Sequence, residues 1–223
     1  MIAGNGEIEG NDALQEASTA RPIAGWRLYQ AIRYLLRWLR WWLRLEVFGL
    51  ENLPVEGPAL IVSNHDSLLD PLAIVEAMVW RRRLLRFLAK STLWNSRILA
   101  WILSRAGQIP VQRGANDSAA IEAAIAALAR GETVGIFPEG TLSRGENLRA
   151  RRGVARLAQA VPGVPVVLVA VRGCTDFKRF PGRPRASVEF FMPAGGQPRP
   201  DEDQEGLAQR LLDEIRARIP PTR

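Results

Sequence analysis

The chain has 223 residues and carries 30 lysines and arginines against 23 aspartates and glutamates, giving a net charge of +7. This basic surplus favours a polyanionic neighbour: nucleic acid, anionic lipid headgroups or a phosphorylated substrate. The length fits one domain with a short appendage and leaves no room for a second catalytic domain. Cys174 is the single cysteine, so an internal disulfide is excluded, and one cysteine with one histidine cannot form a zinc site of the usual kind. We therefore expect no metal.

The first 22 residues are polar and contain no basic run. This composition predicts a disordered N-terminus over residues 1–22 and argues against a secretory signal. The protein is accordingly expected to stay in the cytoplasm.

Residues 23–45 combine tryptophans and leucines with regularly spaced arginines. On a helix the four arginines fall within a stripe of roughly 60°, and everything opposite is apolar. This profile predicts an amphipathic helix lying in a membrane interface, with Trp and Leu among the acyl chains and the guanidinium groups toward phosphates. It does not predict a spanning helix, because no stretch of about 18 uncharged apolar residues exists. The alternative is a tryptophan-rich core helix. The predicted membrane-binding residues are Trp26, Arg33, Arg37, Trp38, Arg40, Trp41, Trp42 and Arg44.

The rest of the chain alternates between strand-like and helix-like patterns, which predicts an α/β fold with a mixed, largely parallel sheet flanked by helices. A domain over residues 46–193 is followed by a linker and C-terminal helix over residues 194–223, with no chemistry in that helix. The predicted strands are 45–50, 59–63, 84–89, 108–111, 133–137, 164–171 and 186–191. The predicted helices are 71–81, 91–106, 118–130 and 151–160.

The only histidine, His65, directly follows the apolar run 59–62 and precedes Asp70 and Pro71. His65 and Asp70 would lie roughly 140° apart on one helix, so they can meet only across a turn. Asp70 followed by Pro71 predicts a helix N-cap and first helical position, hence the order strand, tight turn and helix. The Asp70 carboxylate can then accept from one ring nitrogen of His65 and leave the other as a base.

Three further segments accompany this motif: Gly107 to Arg113, Phe137 to Arg144 and Val164 to Val171. Together the four segments resemble the blocks of the glycerolipid acyltransferase family, whose best-known members are the 1-acylglycerol-3-phosphate acyltransferases. The resemblance covers about residues 47–192. The chain departs from the family pattern at a few positions, which leave the reaction class intact but weaken the assignment of a particular lysolipid; they are Gln112, Ala150, Arg151, Arg152 and Leu168.

The resemblance implies transfer of a fatty acyl group from an acyl thioester to the hydroxyl of a lysophospholipid. The expected acceptor is 1-acyl-sn-glycerol 3-phosphate, which gives phosphatidate. The donor is a thioester of coenzyme A or of acyl carrier protein, with no further cofactor. Removal of the hydroxyl proton needs a base, which is His65 oriented by Asp70. Arg113, just beyond a strand, suits the acceptor phosphate through bidentate geometry.

Further substrate-binding residues are implied around the third block. The resemblance implies that Glu139, Gly140 and Thr141 help hold the glycerol phosphate. Arg144, Arg151 and Arg152 either add to the phosphate site or simply solvate a helix.

Other interpretations remain open. Within the family, another lysolipid or a glycolipid could be the acceptor. A different class would be a non-catalytic basic protein that binds membranes or nucleic acid; nucleic acid is disfavoured because the arginine stripe lies on too apolar a helix. Cys174 paired with His65 is a further alternative, although no known cysteine signature surrounds it. The expected location is the cytoplasmic face of the inner membrane, with an anionic membrane surface and acyl carrier protein as candidate partners.

Overall fold

The computed structural model describes residues 26–112, 117–175 and 183–219, without the side chains of residues 26–33 and 117. The disordered N-terminus predicted for residues 1–22 and the phosphate-binding residue Arg113 lie outside the described residues, as do the side chains of Trp26 and Arg33. The described helices are α1 (Trp26–Leu43), α2 (Asp70–Trp80), α3 (Arg97–Arg105), α4 (Asp117–Ala129), α5 (Gly153–Ala160) and α6 (Gln204–Ala217). The described strands are β1 (Glu46–Phe48), β2 (Ala59–Ser63), β3 (Leu85–Lys90), β4 (Ile109–Val111), β5 (Thr133–Ile136), β6 (Val166–Arg172) and β7 (Ser187–Phe191).

The strands form one seven-stranded sheet in the order β1-β7-β6-β2-β5-β3-β4. Neighbouring strands are parallel except β6 and β7, which are antiparallel. Since β1 is parallel to β7, these two strands run opposite to the other five. The amino ends of β1 and β7 therefore share one edge of the sheet with the carboxyl ends of β2, β5 and β6. The predicted mixed, largely parallel sheet is confirmed.

Helices cover both faces of this sheet. Ala59 and Ile61 of β2 point into a core that contains α1 and α2, whereas Leu60 and Val62 point into a core that contains α4, α5 and α6. All five residues of β2 are buried, as expected for a central strand with both faces covered. The turn after β2 is thus held on a rigid scaffold.

Two details of the predicted helices differ from the structure. Helix α2 starts at Asp70 as predicted, but Asp70 is its first residue and Leu69 its cap, and the Asp70 carboxylate accepts the amide of Ser67 at 2.6 Å. The helix predicted over residues 91–106 is divided into a short 3-10 helix (Ser91–Asn95) and α3, with Ser96 extended between them. The indole of Trp94 donates to Ser104 Oγ at 3.0 Å, so the two pieces fold against each other.

The amphipathic helix predicted for residues 23–45 is present as α1, but its faces differ from the prediction. Leu36, Leu39 and Leu43 are buried in the core against α2, and therefore do not face acyl chains. Arg40 pairs with the buried Glu76 at 3.1 Å instead of projecting outward. A second face remains solvent-exposed and apolar; it comprises Tyr34, Leu35, Trp38 and Trp41. Among the described helices, none has the length and apolar character needed to cross a bilayer.

Candidate active site

Asn64 directly follows strand β2 and fixes the turn. Its side-chain amide donates to the carbonyl of Val171 at 2.9 Å and accepts from the Val171 amide at 2.8 Å. The fully buried Asn64 thus replaces a backbone partner at the end of the β2/β6 pair. Its amide also donates to Asp66 at 2.8 Å, which holds the two residues on either side of His65 together.

His65 and Asp70 meet across this turn, as the sequence predicts. The distance between His65 Nδ1 and Asp70 Oδ2 is 3.4 Å, and the same oxygen accepts the amide of Ser67. With Nδ1 toward the carboxylate, Nε2 of His65 is the ring nitrogen available as a base. Burial raises the pKa of Asp70, and the hydrogen bonds from His65 and Ser67 oppose that increase.

Aromatic rings hold the imidazole from the other side. The His65 ring stacks on Phe137 with the centroids 4.1 Å apart, and Phe137 stacks on Phe87 at 4.9 Å. The His65 side chain is 13% exposed and that of Asp70 is 2% exposed. A ring held by a carboxylate and an aromatic stack, yet still open to solvent, is preorganised for proton transfer.

Glu139 joins the turn after β5 to the turn after β2. One carboxylate oxygen accepts the backbone amide of His65 at 2.8 Å, and the other lies 3.4 Å from the guanidinium of Arg216. Glu139 is buried, and burial raises its pKa while the amide of His65 and the charge of Arg216 oppose the shift. Both oxygens are engaged, so its predicted role in holding glycerol phosphate would be indirect, through the shape of the turn.

Ser143 makes a second connection between the same two turns. Its backbone amide donates to the carbonyl of His65 at 2.8 Å, and its hydroxyl donates to Asp66. The peptide groups on both sides of His65 are therefore fixed by residues of the third block.

Gly140 is required by the geometry of its turn. Its φ is +67°, and a Cβ atom there would lie 2.6 Å from Cδ of Arg151. Arg151 donates its backbone amide to Pro138 at 2.8 Å, and its Nε lies 3.4 Å from the carbonyl of Glu139. The stem of Arg151 thus packs directly on the turn while the side chain as a whole stays exposed.

The remaining predicted substrate residues are placed differently. Thr141 is half-buried next to the turn, and Arg144 is exposed with a φ of +54°. Arg152 is exposed and pairs with Glu205 of α6 at 2.7 Å. The structure therefore brings His65, Asp70, Glu139, Gly140 and the Arg151 stem together, and it directs Arg152 toward the C-terminal helix.

Arg216 is a site residue that the sequence did not reveal. It lies on α6, for which no chemistry was expected, and it donates to the carbonyl of Leu148 at 2.6 Å in addition to pairing with Glu139. No local motif marks an arginine 77 positions away from its partner.

The thiol of Cys174 lies near Asp70 and is buried. Burial, followed by the nearby Asp70 carboxylate, raises its pKa strongly, so the thiol stays protonated at neutral pH. This environment disfavours the alternative in which Cys174 is a nucleophile.

Replacing Arg216 by glutamine should destabilise the fold by about 1–3 kcal/mol, because it leaves the buried Glu139 carboxylate without its cation. The same change should slow turnover, since Glu139 fixes the peptide that precedes His65. Arg210→Gln, on the same helix but paired with Glu202 and Glu214, is the matched control. Equal activity losses in both variants would show that α6 acts only through general stability.

A histidine and carboxylate pair at the carboxyl ends of the strands of a mixed α/β sheet can support base-assisted group transfer. The acyltransferase family model matches residues 44–172, more than half of the chain. The chain therefore belongs to the acyltransferase family.

Two relatives and one solved structure illustrate the similarity. The chloroplastic 1-acyl-sn-glycerol-3-phosphate acyltransferase of Arabidopsis thaliana is 31% identical over 133 residues, which is 58% of this chain and 36% of that protein. A lyso-ornithine lipid O-acyltransferase of Pseudomonas aeruginosa is 34% identical over 162 residues, covering 70% of this chain and 59% of that one. The chain thus spans less than two thirds of each relative.

One structural neighbour is the 1-acyl-sn-glycerophosphate acyltransferase of Thermotoga maritima. It superimposes with a TM-score of 0.65 at 23% identity, covering 94% of this chain and 89% of that chain. This similarity shows a shared fold.

Proposed function

We propose that the protein transfers a fatty acyl group from an acyl thioester to the hydroxyl of a lysophospholipid, with 1-acyl-sn-glycerol 3-phosphate as the acceptor and phosphatidate as the product. The observation that carries this proposal is the His65 and Asp70 pair, held at 3.4 Å at the open edge of the sheet. The family membership supports the reaction class.

The geometry supports a direct transfer. Nε2 of His65 takes the proton of the acceptor hydroxyl while the hydroxyl oxygen attacks the thioester carbonyl and forms the new carbon–oxygen bond. The carbon–sulfur bond then breaks, and the imidazolium returns its proton to the departing thiolate. Asp70 stabilises the imidazolium during this sequence, because an ionised carboxylate favours the positive ring. No residue is acylated in this scheme.

The donor would be a thioester of coenzyme A or of acyl carrier protein, and no additional cofactor takes part. Two headgroup chemistries are candidates for the acceptor, because one similar protein is named for a phosphate-bearing lysolipid and another for lyso-ornithine lipid. The proposed contacts to a phosphate come from the turn after β5 and from Arg113, which follows β4 in the sequence. The residues of and near that turn are Gly140, Thr141, Arg144 and Arg151.

The test is to measure kcat/KM of the purified protein on lysophosphatidate, lyso-ornithine lipid and lysophosphatidylcholine with one acyl donor. We expect lysophosphatidate to be preferred by at least about tenfold, because a charge-assisted phosphate contact contributes roughly 1.5–3 kcal/mol. A preference for lyso-ornithine lipid would show that this lipid is the acceptor, and the proposed transfer mechanism would stand. Absence of transfer to every acceptor would reject the proposal.

We also propose that the protein binds the cytoplasmic face of the inner membrane from one side, through the exposed apolar face of α1. Trp38 and Tyr34 of this face are 54% and 66% exposed. The 3-10 helix and α3 add a second exposed apolar surface, which is a candidate for contact with acyl chains. Its members are Leu93, Ile98, Leu99 and Trp101.

Replacing Trp38 by serine should weaken binding to vesicles by about tenfold or more at any salt concentration, because a buried tryptophan contributes an apolar term that salt does not screen. Val55→Ser, at another exposed apolar position outside α1, is the control and should bind like wild type. The measurement is co-sedimentation with zwitterionic vesicles. Unchanged binding of Trp38→Ser would contradict the placement of α1 in the membrane.

A further inference from the structure

A cavity of about 450 Å³ lies beside the C-terminal half of α1, apart from the His65 site. It is lined by arginines at the C-terminal end of α1 and just after it, by the last residue of α2 and by the segment before β7. The residues used below are Arg37, Arg40, Trp41, Arg44, Trp80 and Arg183.

The charge in this cavity is unbalanced. Arg40 is neutralised by Glu76, which also accepts the indole N–H of Trp80 at 2.9 Å. Within the described parts of the chain, no carboxylate pairs with Arg37, Arg44 or Arg183. Three guanidinium groups therefore surround one cavity with no counter-ion from the described residues, and an anion would relieve their mutual repulsion.

Arg183 is held in place as a preorganised donor. Its guanidinium carbon lies 4.0 Å from the centre of the Trp41 ring, and it donates to the carbonyl of Trp41. Its Nε is buried, and among the described residues no atom accepts a hydrogen bond from it. Buried donors in folded proteins nearly always have a partner, so the described residues leave the hydrogen-bonding capacity of this guanidinium incompletely used. The planar fork of arginine matches phosphate oxygens in particular.

The position of the cavity indicates where such a phosphate would come from. Helix α1 ends at the same end of the sheet as the His65 turn. There the Ala186 amide donates to the carbonyl of Leu43 at 2.9 Å, and the Glu46 amide donates to the carbonyl of Ala186 at 3.0 Å. Ala186 lies next to the carboxyl end of β6. The exposed apolar face of α1 turns away from the core along the same helix. A phosphate bound here would thus lie beside apolar side chains, as the headgroups of a bilayer do.

We propose that this cavity binds the phosphate of an anionic phospholipid headgroup in the bilayer surface and so fixes the catalytic edge of the protein against the membrane. This inference rests on the proposed membrane placement of α1 and is independent of the acyl-transfer reaction. The bound lipid is a docking ligand and not the acceptor.

The test compares Arg37→Gln/Arg44→Gln with Arg130→Gln/Arg156→Gln, two exposed arginines on the opposite helical layer, so that both variants lose the same charge. The full chain is titrated with vesicles of phosphatidylcholine alone and of phosphatidylcholine with phosphatidylglycerol. We expect Arg37→Gln/Arg44→Gln to lose about tenfold or more of its affinity for the anionic vesicles and to keep wild-type affinity for phosphatidylcholine. The control pair should stay within about twofold of wild type on both.

Arg183→Lys distinguishes a specific phosphate site from nonspecific electrostatic attraction to the membrane. The substitution keeps the positive charge and removes the planar guanidinium group. We expect it to lower affinity for anionic vesicles by about threefold or more, with an unchanged melting temperature. Wild-type behaviour of Arg183→Lys, or equal losses in the two double variants, would overturn the proposal in favour of general electrostatics.

Inorganic phosphate at matched ionic strength tests the source of the ligand. If it saturably changes the fluorescence of the free protein and abolishes the preference for anionic vesicles, the site takes free phosphate and the lipid assignment is overturned. Vesicle binding is measured without any acyl donor, so its outcome is separate from that of the acceptor panel.

Discussion

Replacing His65 by alanine should lower acyl transfer by about 10²–10⁴-fold, the contribution typical of a positioned general base. The fold should survive, because the turn is held through main-chain groups of this residue. Its amide donates to Glu139 and its carbonyl accepts from Ser143, and alanine keeps both. The measurement is thioester consumption with lysophosphatidate, alongside the melting temperature.

His65→Gln is the companion variant, since it retains a polar side chain of similar length and lacks the base. It should be as inactive as His65→Ala and bind vesicles like wild type. Turnover near the wild-type rate in either pure variant would remove His65 from the mechanism.

Asp70→Asn should lower turnover by about 10²–10⁴-fold without unfolding the protein, because an amide cannot stabilise the imidazolium and can favour the wrong ring tautomer. The side chain of Asp70 is nearly inaccessible and an oxygen remains to accept the Ser67 amide. The rate should fall through kcat with little change in KM for the thioester. A loss confined to KM would show that Asp70 contributes to binding instead.

The stability of the same variant should depend on pH in a defined direction. Burial raises the pKa of Asp70 above that of an ordinary aspartate, so the folded chain holds this proton more tightly than the unfolded chain. Protonated Asp70 therefore contributes its full stabilisation of the folded state below the ordinary aspartate pKa. This stabilisation is lost as the pH rises through the raised pKa of Asp70 in the folded chain. Relative to wild type, Asp70→Asn should gain stability as the pH rises through this range. Denaturant unfolding across the acidic range checks the sign, and a relative loss of stability would contradict it.

Much of the architecture could be predicted from local sequence. Short apolar runs predict each of the seven described strands with boundaries off by at most two residues, and the buried central strand β2 matches at both ends. The meeting of His65 with Asp70 was also predictable, since a strand, a short turn and a helix beginning near Asp70 and Pro71 leave few other geometries.

The faces of α1 could not be predicted in the same way. Both Leu39 and Trp38 belong to apolar stripes, and only tertiary packing against α2 decides that Leu39 is buried and Trp38 exposed. The pairing of Arg40 with Glu76 follows from that packing.

The supports of the site are long-range contacts without a local signal. Arg216 reaches Glu139 across 77 positions, and Asn64 reaches Val171 across 107. Sequence periodicity describes one element at a time, whereas these contacts depend on how the C-terminal helix and strand β6 are arranged around β2.

The most direct measurement is a single-turnover reaction of the purified protein with acyl-coenzyme A, with and without lysophosphatidate, analysed for lipid product, free thiol and acylated protein. Direct transfer with His65 as the base predicts equal amounts of phosphatidate and free thiol, formed only when the acceptor is present, with unmodified protein throughout and a rate about 10²–10⁴-fold lower for His65→Ala. Thiol release without acceptor together with an acyl group on Cys174 or another side chain would contradict it, as would a wild-type rate of product formation by His65→Ala.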